Sequence, residues 1–387
     1  MLRLENKKDL RILILSSHFY PRVDGTTRSI DKIIKNLTRR GHHVLFVTRR
    51  FPKTSSFEVY EQAEIYHTGP SGFSVFARLL LGINQARLAV KIMRNNKIDI
   101  LQAHGFAPMF ACFILKAMFK KPIVLIFHGL PRMWVGEFKW RKPYEQLLSF
   151  PFERFLIRQA DRIVVRSNLF AKILVATYGK GFEDRIRVLP HPVNTEVFRF
   201  YNPPPTEPII LFVGSLAKVY GVDLLLKAAP LVMRKIPESK FVIVGDGPLR
   251  SHLENLANEL GIEKSVRFVG RIDDPATLAE YYQKSTLVAI PLYYKGYILS
   301  LVAVEALACG RPVVTTMTLE PGLEEVGVFT VKTYDPKDLA QRILRVINEI
   351  DLKALALSAR GYVEKYHSEK DYSSRLEGIY LELIEGI

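Results

Sequence analysis

The sequence is poor in the residues that mark several large classes of protein. It contains only two cysteines, Cys112 and Cys309, which excludes a disulfide framework, and neither has the spacing of a metal ligand. No apolar run approaches the ~18 residues that a membrane-spanning helix needs, and the polar start, MLRLENKKDL, is unlike a signal peptide. These absences predict a cytoplasmic protein of a reducing compartment, with no metal site.

Acidic residues are scarce in the first half of the chain. Residues 1–200 hold 34 Lys and Arg against 15 Asp and Glu, a net charge of +19, whereas the remainder holds 21 against 24, a net charge of −3. This asymmetry favours an anionic partner for the first half, although a solvated basic surface is the simpler alternative. The chain has no zinc-finger spacing and no aromatic RNA-binding strand motif, so we do not expect nucleic acid as that partner.

Apolar strand-like runs alternate with helical segments twice, on either side of a proline-rich stretch at 201–208. Continuous apolar strands separated by helices predict a parallel sheet that is covered on both faces. We therefore predict an α/β fold with two doubly wound, Rossmann-like domains at 1–202 and 209–366, joined by a stiff linker at 203–208. Residues 367–387 predict a terminal amphipathic helix.

The individual segments follow from the same alternation. The predicted strands are Arg11–Ser16, His43–Thr48, Ile98–Ala103, Pro122–Phe127, Asp161–Arg166, Arg187–Leu189, Pro208–Val213, Lys240–Val244, Val266–Val269, Thr286–Pro291 and Pro312–Thr316. The main predicted helices are Ser29–Arg40, 73–97, Val222–Lys235, Pro248–Leu260, Thr277–Lys284, Leu301–Cys309, Pro336–Glu349, Leu352–Tyr366 and Asp371–Ile384.

The short helix at Leu301–Cys309 is apolar on every side except for one carboxylate, Glu305. Ser300 is a suitable N-cap, and Gly310 is a suitable stop. A helix that is apolar all round is buried, and a buried carboxylate is costly without a partner. The partner is either an internal Arg or Lys or a polar ligand. The helix follows a loop at the end of a strand, where α/β sheets bind ligands, and this position favours the ligand.

Glycines and histidines follow the predicted strands at their carboxyl ends. These residues are Gly25, His104, His128, Gly214 and Gly245. Glycine at such an edge lets backbone amides approach phosphate oxygens. A histidine there either bonds the neighbouring backbone or faces a ligand, and we expect the ligand-facing role for His128 more than for His104.

Several motifs together resemble the retaining, nucleotide-sugar-dependent glycosyltransferases of family 4. Glu305 and the turn Ala308–Val314 resemble the family's C-terminal signature, a glutamate followed by Cys-Gly-x-Pro-Val-Val. Other similar stretches are Tyr20–Gly25, Arg40–Val44, Asp99–His104, Ala160–Arg162 and Pro190–Phe198. The resemblance implies the GT-B fold, in which two Rossmann-like domains face each other across a cleft and a C-terminal helix crosses back to the N-terminal domain.

The resemblance also implies the reaction and the site. The expected reaction moves a sugar from a UDP- or GDP-linked donor to an acceptor hydroxyl with retention at the anomeric carbon, without a metal or another cofactor. His128 would contact the sugar and Glu305 the ribose hydroxyls. The residues expected to bind the donor are Gly25, Gly214, Ser215, Lys218, Gly245, Tyr297, Ser300, Leu301 and Val302. The residues expected to bind the acceptor are Arg22 and His104.

The chain departs from the family pattern where the donor diphosphate binds. Ser215 and Tyr220 occupy the places of the family's arginine and lysine, and Tyr297 stands where an ungapped count places the first glutamate of the signature. Lys218 could supply charge from the same loop. Charge-assisted bonds to phosphate are about twice as strong as neutral ones. A GT-B protein that binds a nucleotide sugar or a partner without turnover is therefore the main alternative, and a sugar-nucleotide epimerase is another.

The basic first half would suit a glycan or lipid-linked acceptor presented at an anionic membrane surface, on its inner face. The predicted helix at 73–97 places Arg87, Lys91 and Arg94 on one side, and residues 138–142, FKWRK, put two aromatics among three cations. An ordinary amphipathic helix packed on the sheet is the alternative for 73–97.

Overall fold

The computed structural model describes residues 9–22, 25–69, 75–129, 143–201, 207–293, 296 and 298–386. The described residues form two compact units. The first contains those of Met1–Leu130, Arg141–Leu189 and Tyr372–Ile387, and the second those of Pro190–Asp371. Within the described residues, no helix is both long enough and apolar enough to cross a membrane.

The first unit is built on an eight-stranded sheet of order β3-β4-β2-β1-β5-β6-β7-β8. Its strands are β1 (Arg11–Ser16), β2 (His43–Arg49), β3 (Phe57–Tyr60), β4 (Ala63–Thr68), β5 (Ile100–His104), β6 (Ile123–Ile126), β7 (Arg162–Val165) and β8 (Ile186–Val188). Its helices are α1 (Gly25–Arg39), α2 (Val75–Asn95), α3 (Phe106–Phe119), α4 (Pro143–Ile157) and α5 (Asn168–Tyr178).

The sheet is parallel, as predicted, except at one edge. There β3 pairs antiparallel with β4 through a two-residue turn in which Glu61 and Gln62 both have positive φ, 49° and 65°. Such a turn is usually marked by Asn-Gly or Asp-Gly. Because Glu-Gln carries no such mark, this hairpin was not predicted from the sequence.

Helix α1 begins at Gly25, about one turn earlier than predicted. Glycine and threonine are weak helix formers, which is why their propensities placed 25–28 in the preceding loop. Burial of Thr27 and the 2.9 Å hydrogen bond from its hydroxyl to the Arg22 carbonyl stabilise this extra turn. The helix start is therefore tied directly to the loop that follows β1.

The second unit is built on a six-stranded parallel sheet of order β11-β10-β9-β12-β13-β14. Its strands are β9 (Ile209–Val213), β10 (Lys240–Val244), β11 (Val266–Gly270), β12 (Leu287–Ile290), β13 (Val313–Thr315) and β14 (Val328–Thr330). Its helices are α6 (Val222–Met233), α7 (Arg250–Glu259), α8 (Pro275–Lys284), α9 (Leu301–Ala308), α10 (Pro336–Glu349) and α11 (Leu352–Tyr366). All of these elements lie within a few residues of their predicted positions, except β14, which was not predicted.

The last helix, α12 (Glu369–Glu385), buries its apolar face in the core of the first unit. Tyr372, Leu376, Ile379 and Tyr380 are nearly fully buried in a cluster that also contains residues of β1, β2, β5, β6, β7 and α1. Residues 100, 102 and 104 of β5 share one face of the strand because strand side chains alternate. Ile100 belongs to the cluster that α12 covers, so Gln102 and His104 lie on that face too.

Candidate active site

The loops after β9 and β10 approach each other at the backbone. Gly245 has φ +140°, and a Cβ atom added there would lie 1.8 Å from the carbonyl oxygen of Gly214. The Leu216 amide donates a 3.0 Å hydrogen bond to the Asp246 carbonyl, which joins the same two loops. No side chain fits between them, so the structure brings the predicted residues Gly214 and Gly245 together through a close approach that glycine alone permits.

The loop after β9 also contacts the end of β12. Gly221 has φ +64°, and a Cβ atom there would lie 1.7 Å from the Pro291 carbonyl. The Tyr293 amide donates a 2.9 Å hydrogen bond to the Val219 carbonyl. The loops that follow β9, β10 and β12 therefore form one packed surface at the carboxyl edge of this sheet, the place where α/β sheets hold ligands.

Lys218 lies in that surface with its ammonium group at an acidic neighbour. Its Nζ is 3.5 Å from Oδ2 of Asp223, in the first turn of α6, and 5.6 Å from the ring centroid of Tyr293. The Tyr293 hydroxyl donates a 3.0 Å hydrogen bond to the same carboxylate, and burial together with Asp223 raises the pKa of Tyr293 well above its usual value. Lys218 is 62% exposed and Asp223 is 8% exposed. The carboxylate thus orients Lys218 while leaving its ammonium group accessible.

Helix α9 starts as the sequence predicts. The Ser300 hydroxyl accepts a 3.2 Å hydrogen bond from the Ala303 amide, which confirms Ser300 as the N-cap, and Gly310 with φ +75° follows the end of the helix. The first-turn amides of a helix have no intrahelical acceptor. The amides of Leu301 and Val302 are therefore donors at the positive end of the helix dipole.

Glu305 in α9 is 2% exposed, and its carboxylate accepts a hydrogen bond from a neutral side chain. The Tyr282 hydroxyl, in the last turn of α8, donates a 3.0 Å hydrogen bond to Oε2 of Glu305. The sequence predicts an internal cation or a ligand as the partner of Glu305, and nothing in it indicates a tyrosine. Burial, with the Glu305 carboxylate nearby, raises the pKa of Cys309 to about 12, so that thiol stays protonated and unreactive.

In the first unit, two predicted residues lie in the loop after β1 and at the start of α1. Gly25 is the first residue of α1 and is exposed, and Arg22 is exposed in the loop before it. Ser215, in the second unit, is also exposed. Exposure leaves these three residues accessible to a ligand.

The two predicted histidines of the first unit are hydrogen-bonded to each other. Nδ1 of His104, at the end of β5, is 2.8 Å from Nε2 of His128, just after β6, and the rings are 16° from parallel. Nε2 of His104 is 2.7 Å from Nε2 of Gln102, whose Oε1 accepts a hydrogen bond from the Tyr380 hydroxyl of α12. A polar chain of four side chains therefore runs from α12 to the carboxyl edge of the sheet.

A buried cation lies beside this chain. Arg166 is 3% exposed, just after β7, and its guanidinium donates hydrogen bonds to the Leu189 carbonyl, the Tyr372 hydroxyl and the Ser29 hydroxyl. None of the described carboxylates lies within ion-pair distance of it. Burial, and then the charges of Arg166 and His18, lower the pKa of His104 to about 3, so His104 is neutral at pH 7.

Some predicted features fall outside the described residues. They are Tyr297, the linker residues 203–206 and the segment 138–142. Other residues of the site were not predicted from sequence: Asp223, Tyr282, Arg166 and Tyr380. Gln102 had one signal in the sequence, because it lies in Asp99–His104, one of the stretches that resemble the family. Among the described residues, no group of three or more His, Cys, Asp or Glu is arranged to hold a metal ion.

The comparisons with known proteins agree on a class. A model described as Glycosyltransferase Family 4 matches residues 23–197, and one described as Glycosyl transferases group 1 matches residues 207–349. A D-inositol 3-phosphate glycosyltransferase of Saccharomonospora viridis is 30% identical, over 96% of this chain and 94% of that protein. An uncharacterized glycosyltransferase of Methanocaldococcus jannaschii is 25% identical, over 92% and 95%.

Solved structures match the fold. Sucrose-phosphate synthase of Thermosynechococcus elongatus has a TM-score of 0.82 at 21% identity, with 98% of this chain and 100% of that chain covered. Anabaena HepE in complex with UDP-glucose has a TM-score of 0.74 at 16% identity, with 98% and 100% covered. The two Rossmann-like sheets therefore have the GT-B fold. The chain belongs to the glycosyltransferases, and its two halves match the models Glycosyltransferase Family 4 and Glycosyl transferases group 1.

Proposed function

We propose that the enzyme transfers a sugar from a UDP- or GDP-linked donor to an acceptor hydroxyl, with retention at the anomeric carbon and without a metal. The observation that carries this proposal is the second unit's strand-end surface. It combines close backbone contacts at Gly214 and Gly245 with the amides that open α9, and the buried carboxylate of Glu305 follows one turn further along that helix. The complexes of Anabaena HepE with UDP and with UDP-glucose support a nucleotide-sugar donor.

The donor diphosphate would bind at the amides of Ser300, Leu301 and Val302, where the helix dipole favours an anion. Lys218 and Ser215 would add contacts from the loop after β9. Lys218 would neutralise part of the phosphate charge that an arginine and a lysine neutralise in other members of the family.

Glu305 would accept hydrogen bonds from the ribose hydroxyls. Tyr282 bonds Oε2 of this carboxylate. That bond limits the rotation of the carboxylate, so its orientation is set before the nucleotide binds, which lowers the entropy that binding costs.

In the reaction, the bond from the anomeric carbon to the leaving phosphate breaks, and the acceptor oxygen forms its bond on the same face of the sugar. The acceptor hydroxyl gives its proton to the leaving phosphate oxygen. The protein's share is positioning and electrostatic stabilisation of the departing diphosphate, an effect that commonly contributes most to the rate enhancement of an enzyme. His128 would donate a hydrogen bond to a sugar hydroxyl, with Gly25 beside the donor and Arg22 on the acceptor side. His104, which was predicted on the acceptor side, is buried with both ring nitrogens hydrogen-bonded to Gln102 and His128, so it acts through His128.

The acceptor would be a glycan or a lipid-linked sugar at an anionic membrane. Helix α2 buries one face and exposes Arg87, Lys91 and Arg94. Helices α3 and α4 add an exposed apolar surface: Met118 is 52%, Phe152 41% and Phe155 45% exposed. Exposed apolar side chains and exposed cations on the same unit suit an anionic headgroup layer.

Vesicle binding tests the membrane partner. Replacing both Phe152 and Phe155 by Ser should weaken binding to anionic vesicles about tenfold, because each ring loses its apolar contact. The control is Phe57→Ser, a phenylalanine of the same unit that is 44% exposed on β3. Equal binding of the wild-type protein to anionic and to neutral vesicles would contradict this part of the proposal.

A donor screen tests the transferase itself. UDP- and GDP-linked glucose and mannose are incubated with the protein, and release of the nucleoside diphosphate is measured with and without candidate acceptors. We expect turnover with one donor, and a product whose anomeric proton coupling matches that of the donor. Tight binding of a nucleotide sugar without any release would favour the alternative of a binding protein without turnover, which the replacements Ser215 and Tyr220 suggest.

A further inference from the structure

A chain of four polar side chains is buried inside the first unit. It begins at Tyr380 on α12, passes through Gln102 in the middle of β5 and His104 at its end, and reaches His128 after β6. Tyr380 and Gln102 are fully buried and His104 is 4% exposed. Buried polar groups that are fully bonded fix one arrangement, because breaking any bond leaves an unsatisfied group.

The orientation of the Gln102 amide sets the direction of each bond. The Tyr380 hydroxyl donates to Oε1 of Gln102, which places the amide nitrogen of Gln102 at His104. An amide nitrogen can only donate, so Nε2 of His104 accepts and its neutral ring carries the proton on Nδ1. That Nδ1–H donates to Nε2 of His128 at 2.8 Å. A neutral His128 then carries its proton on Nδ1.

The surroundings keep the central histidine neutral. The charged or titratable groups near His104 are Arg166 after β7, His18 after β1 and His128 after β6. A second proton on His104 would add a charge next to a buried guanidinium and would remove the acceptor that Gln102 needs. Neutral His104 is therefore the form that satisfies every bond in the chain.

We propose that Tyr380, Gln102 and His104 are positioning residues that hold His128 as the Nδ1–H tautomer, so that Nδ1 of His128 is a hydrogen-bond donor. This hydrogen-bonding pattern involves protein side chains alone, so it does not depend on a bound substrate. Its consequence for turnover rests on the proposed function, in which His128 donates to a sugar hydroxyl. Helix α12 thus determines which ring nitrogen of His128 carries the proton.

Gln102→Glu tests the direction of the chain. A carboxylate accepts on both oxygens, so it takes hydrogen bonds from Tyr380 and from Nε2–H of His104 at the same time. Nδ1 of His104 then becomes an acceptor, and Nε2 of His128 must donate to it. The substitution keeps the shape of the side chain and reverses the tautomer of both histidines.

The readout is two-dimensional ¹H–¹⁵N correlation of the histidine ring nitrogens at pH 7, which separates protonated from unprotonated nitrogens. In the wild-type protein, Nε2 of His104 and of His128 should be unprotonated and Nδ1 protonated. In Gln102→Glu the pattern should be reversed in both, while exposed His43 stays unchanged. A wild-type His128 protonated on Nε2 would overturn the proposal.

Tyr380→Phe is a second variant, in case the buried carboxylate of Gln102→Glu prevents folding. Without the hydroxyl, the amide of Gln102 can adopt both orientations, so His104 and His128 should each show a mixture of tautomers. The control is Tyr372→Phe on the same helix, whose hydroxyl bonds Arg166 and not Gln102. Unmixed wild-type tautomers in Tyr380→Phe would contradict a role for α12 in the chain.

Measurement of kcat tests whether the tautomer of His128 matters for turnover. If His128 donates to the sugar, Gln102→Glu should lower kcat about tenfold, the worth of one hydrogen bond in the transition state. The Tyr372→Phe control should leave kcat unchanged. If no donor is turned over but the tautomers are as stated, the proposed function fails and the positioning chain stands. A normal kcat in a Gln102→Glu protein whose tautomers are reversed would separate the chain from catalysis.

Discussion

Lys218 and Lys227 share the carboxylate of Asp223 but sit differently in the chain. Lys218 lies in the loop after β9 at 3.5 Å from Oδ2, and Lys227 lies one helical turn beyond Asp223 in α6 at 3.8 Å. Both ammonium groups are largely exposed, so neither ion pair contributes much to stability. In the proposed function Lys218 contacts the donor phosphate and Lys227 does not, so substitutions of these two lysines test that contact.

We predict that Lys218→Ala raises KM for the nucleotide sugar about tenfold, because a charge-assisted bond to phosphate is lost. The matched variant Lys227→Ala should leave KM unchanged. Initial rates over a range of donor concentrations measure both. Equal effects of the two substitutions would mean that Lys218 acts only through its charge at a distance.

His104 makes stability depend on pH. Its pKa is about 3 in the folded protein against 6.5 in the unfolded chain, because burial disfavours its charged form. Between these two values the unfolded state binds a proton that the folded state does not. The free energy of unfolding therefore falls by about 1.4 kcal/mol for each pH unit from about 6.5 down to about 3, from this group alone.

We predict that the free energy of unfolding falls less steeply between pH 6 and pH 4 for His104→Gln than for the wild-type protein. Denaturant unfolding at each pH measures it. The variant lowers stability at pH 7 because it breaks the bonded chain, so the slope and not the absolute value is the readout. His43→Gln, at an exposed position of β2, should keep the wild-type slope. Parallel slopes for His104→Gln and the wild-type protein would rule out the depressed pKa.

Residue roles could be predicted from sequence only where the signal is local. Ser300 was predicted as a cap because its position before an apolar helix is enough. The tyrosine partner of Glu305 lies on another helix, and Tyr380 bonds a residue far away in sequence. A single sequence carries no mark of such pairings, so both were missed.

At the scale of elements, the loop after β10 depends on glycine. The Cβ position of Gly245 falls 1.8 Å from a backbone oxygen, which belongs to Gly214 and cannot rotate away. An added methyl group must therefore push the two loops apart. The same substitution in a helix with free space has the opposite effect, because alanine favours helix.

We predict that Gly245→Ala destabilises the second unit by more than about 2 kcal/mol, through the clash and through its φ of +140°. Gly361→Ala in α11, where no atom lies within 4 Å of the added Cβ, should be neutral or stabilise by about 0.5–1 kcal/mol. Thermal unfolding of the two variants gives the comparison. A Gly245→Ala protein as stable as the wild type would show that the loops can separate at little cost.

Strands that are buried on both faces were predicted well, and edge elements were not. The central strands are continuous apolar runs, so β9, β10 and β12 are evident from sequence. The β3–β4 hairpin alternates and turns on Glu61 and Gln62, and β14 has three residues. Short or exposed strands depend on neighbours that only the fold supplies.

At the scale of the whole molecule, the sequence predicted two Rossmann-like sheets because the strand–helix alternation occurs twice. Composition added the charge asymmetry, which the structure locates in part on the exposed face of α2, at Arg87, Lys91 and Arg94. The identity of the sugar and of the acceptor depends on the shape of the binding site, which composition and periodicity do not encode.

The proposed function depends above all on Glu305, the buried carboxylate on α9 that would hold the nucleotide of an activated sugar. Calorimetric titration of the wild-type protein and of Glu305→Gln with UDP, GDP and ADP measures whether it does. Exposed Glu280→Gln on α8 serves as the control. We predict that one nucleotide binds the wild type and the control equally and binds Glu305→Gln at least about tenfold more weakly. Equal affinity for all three proteins, or no binding of any nucleotide to the wild type, would contradict the account.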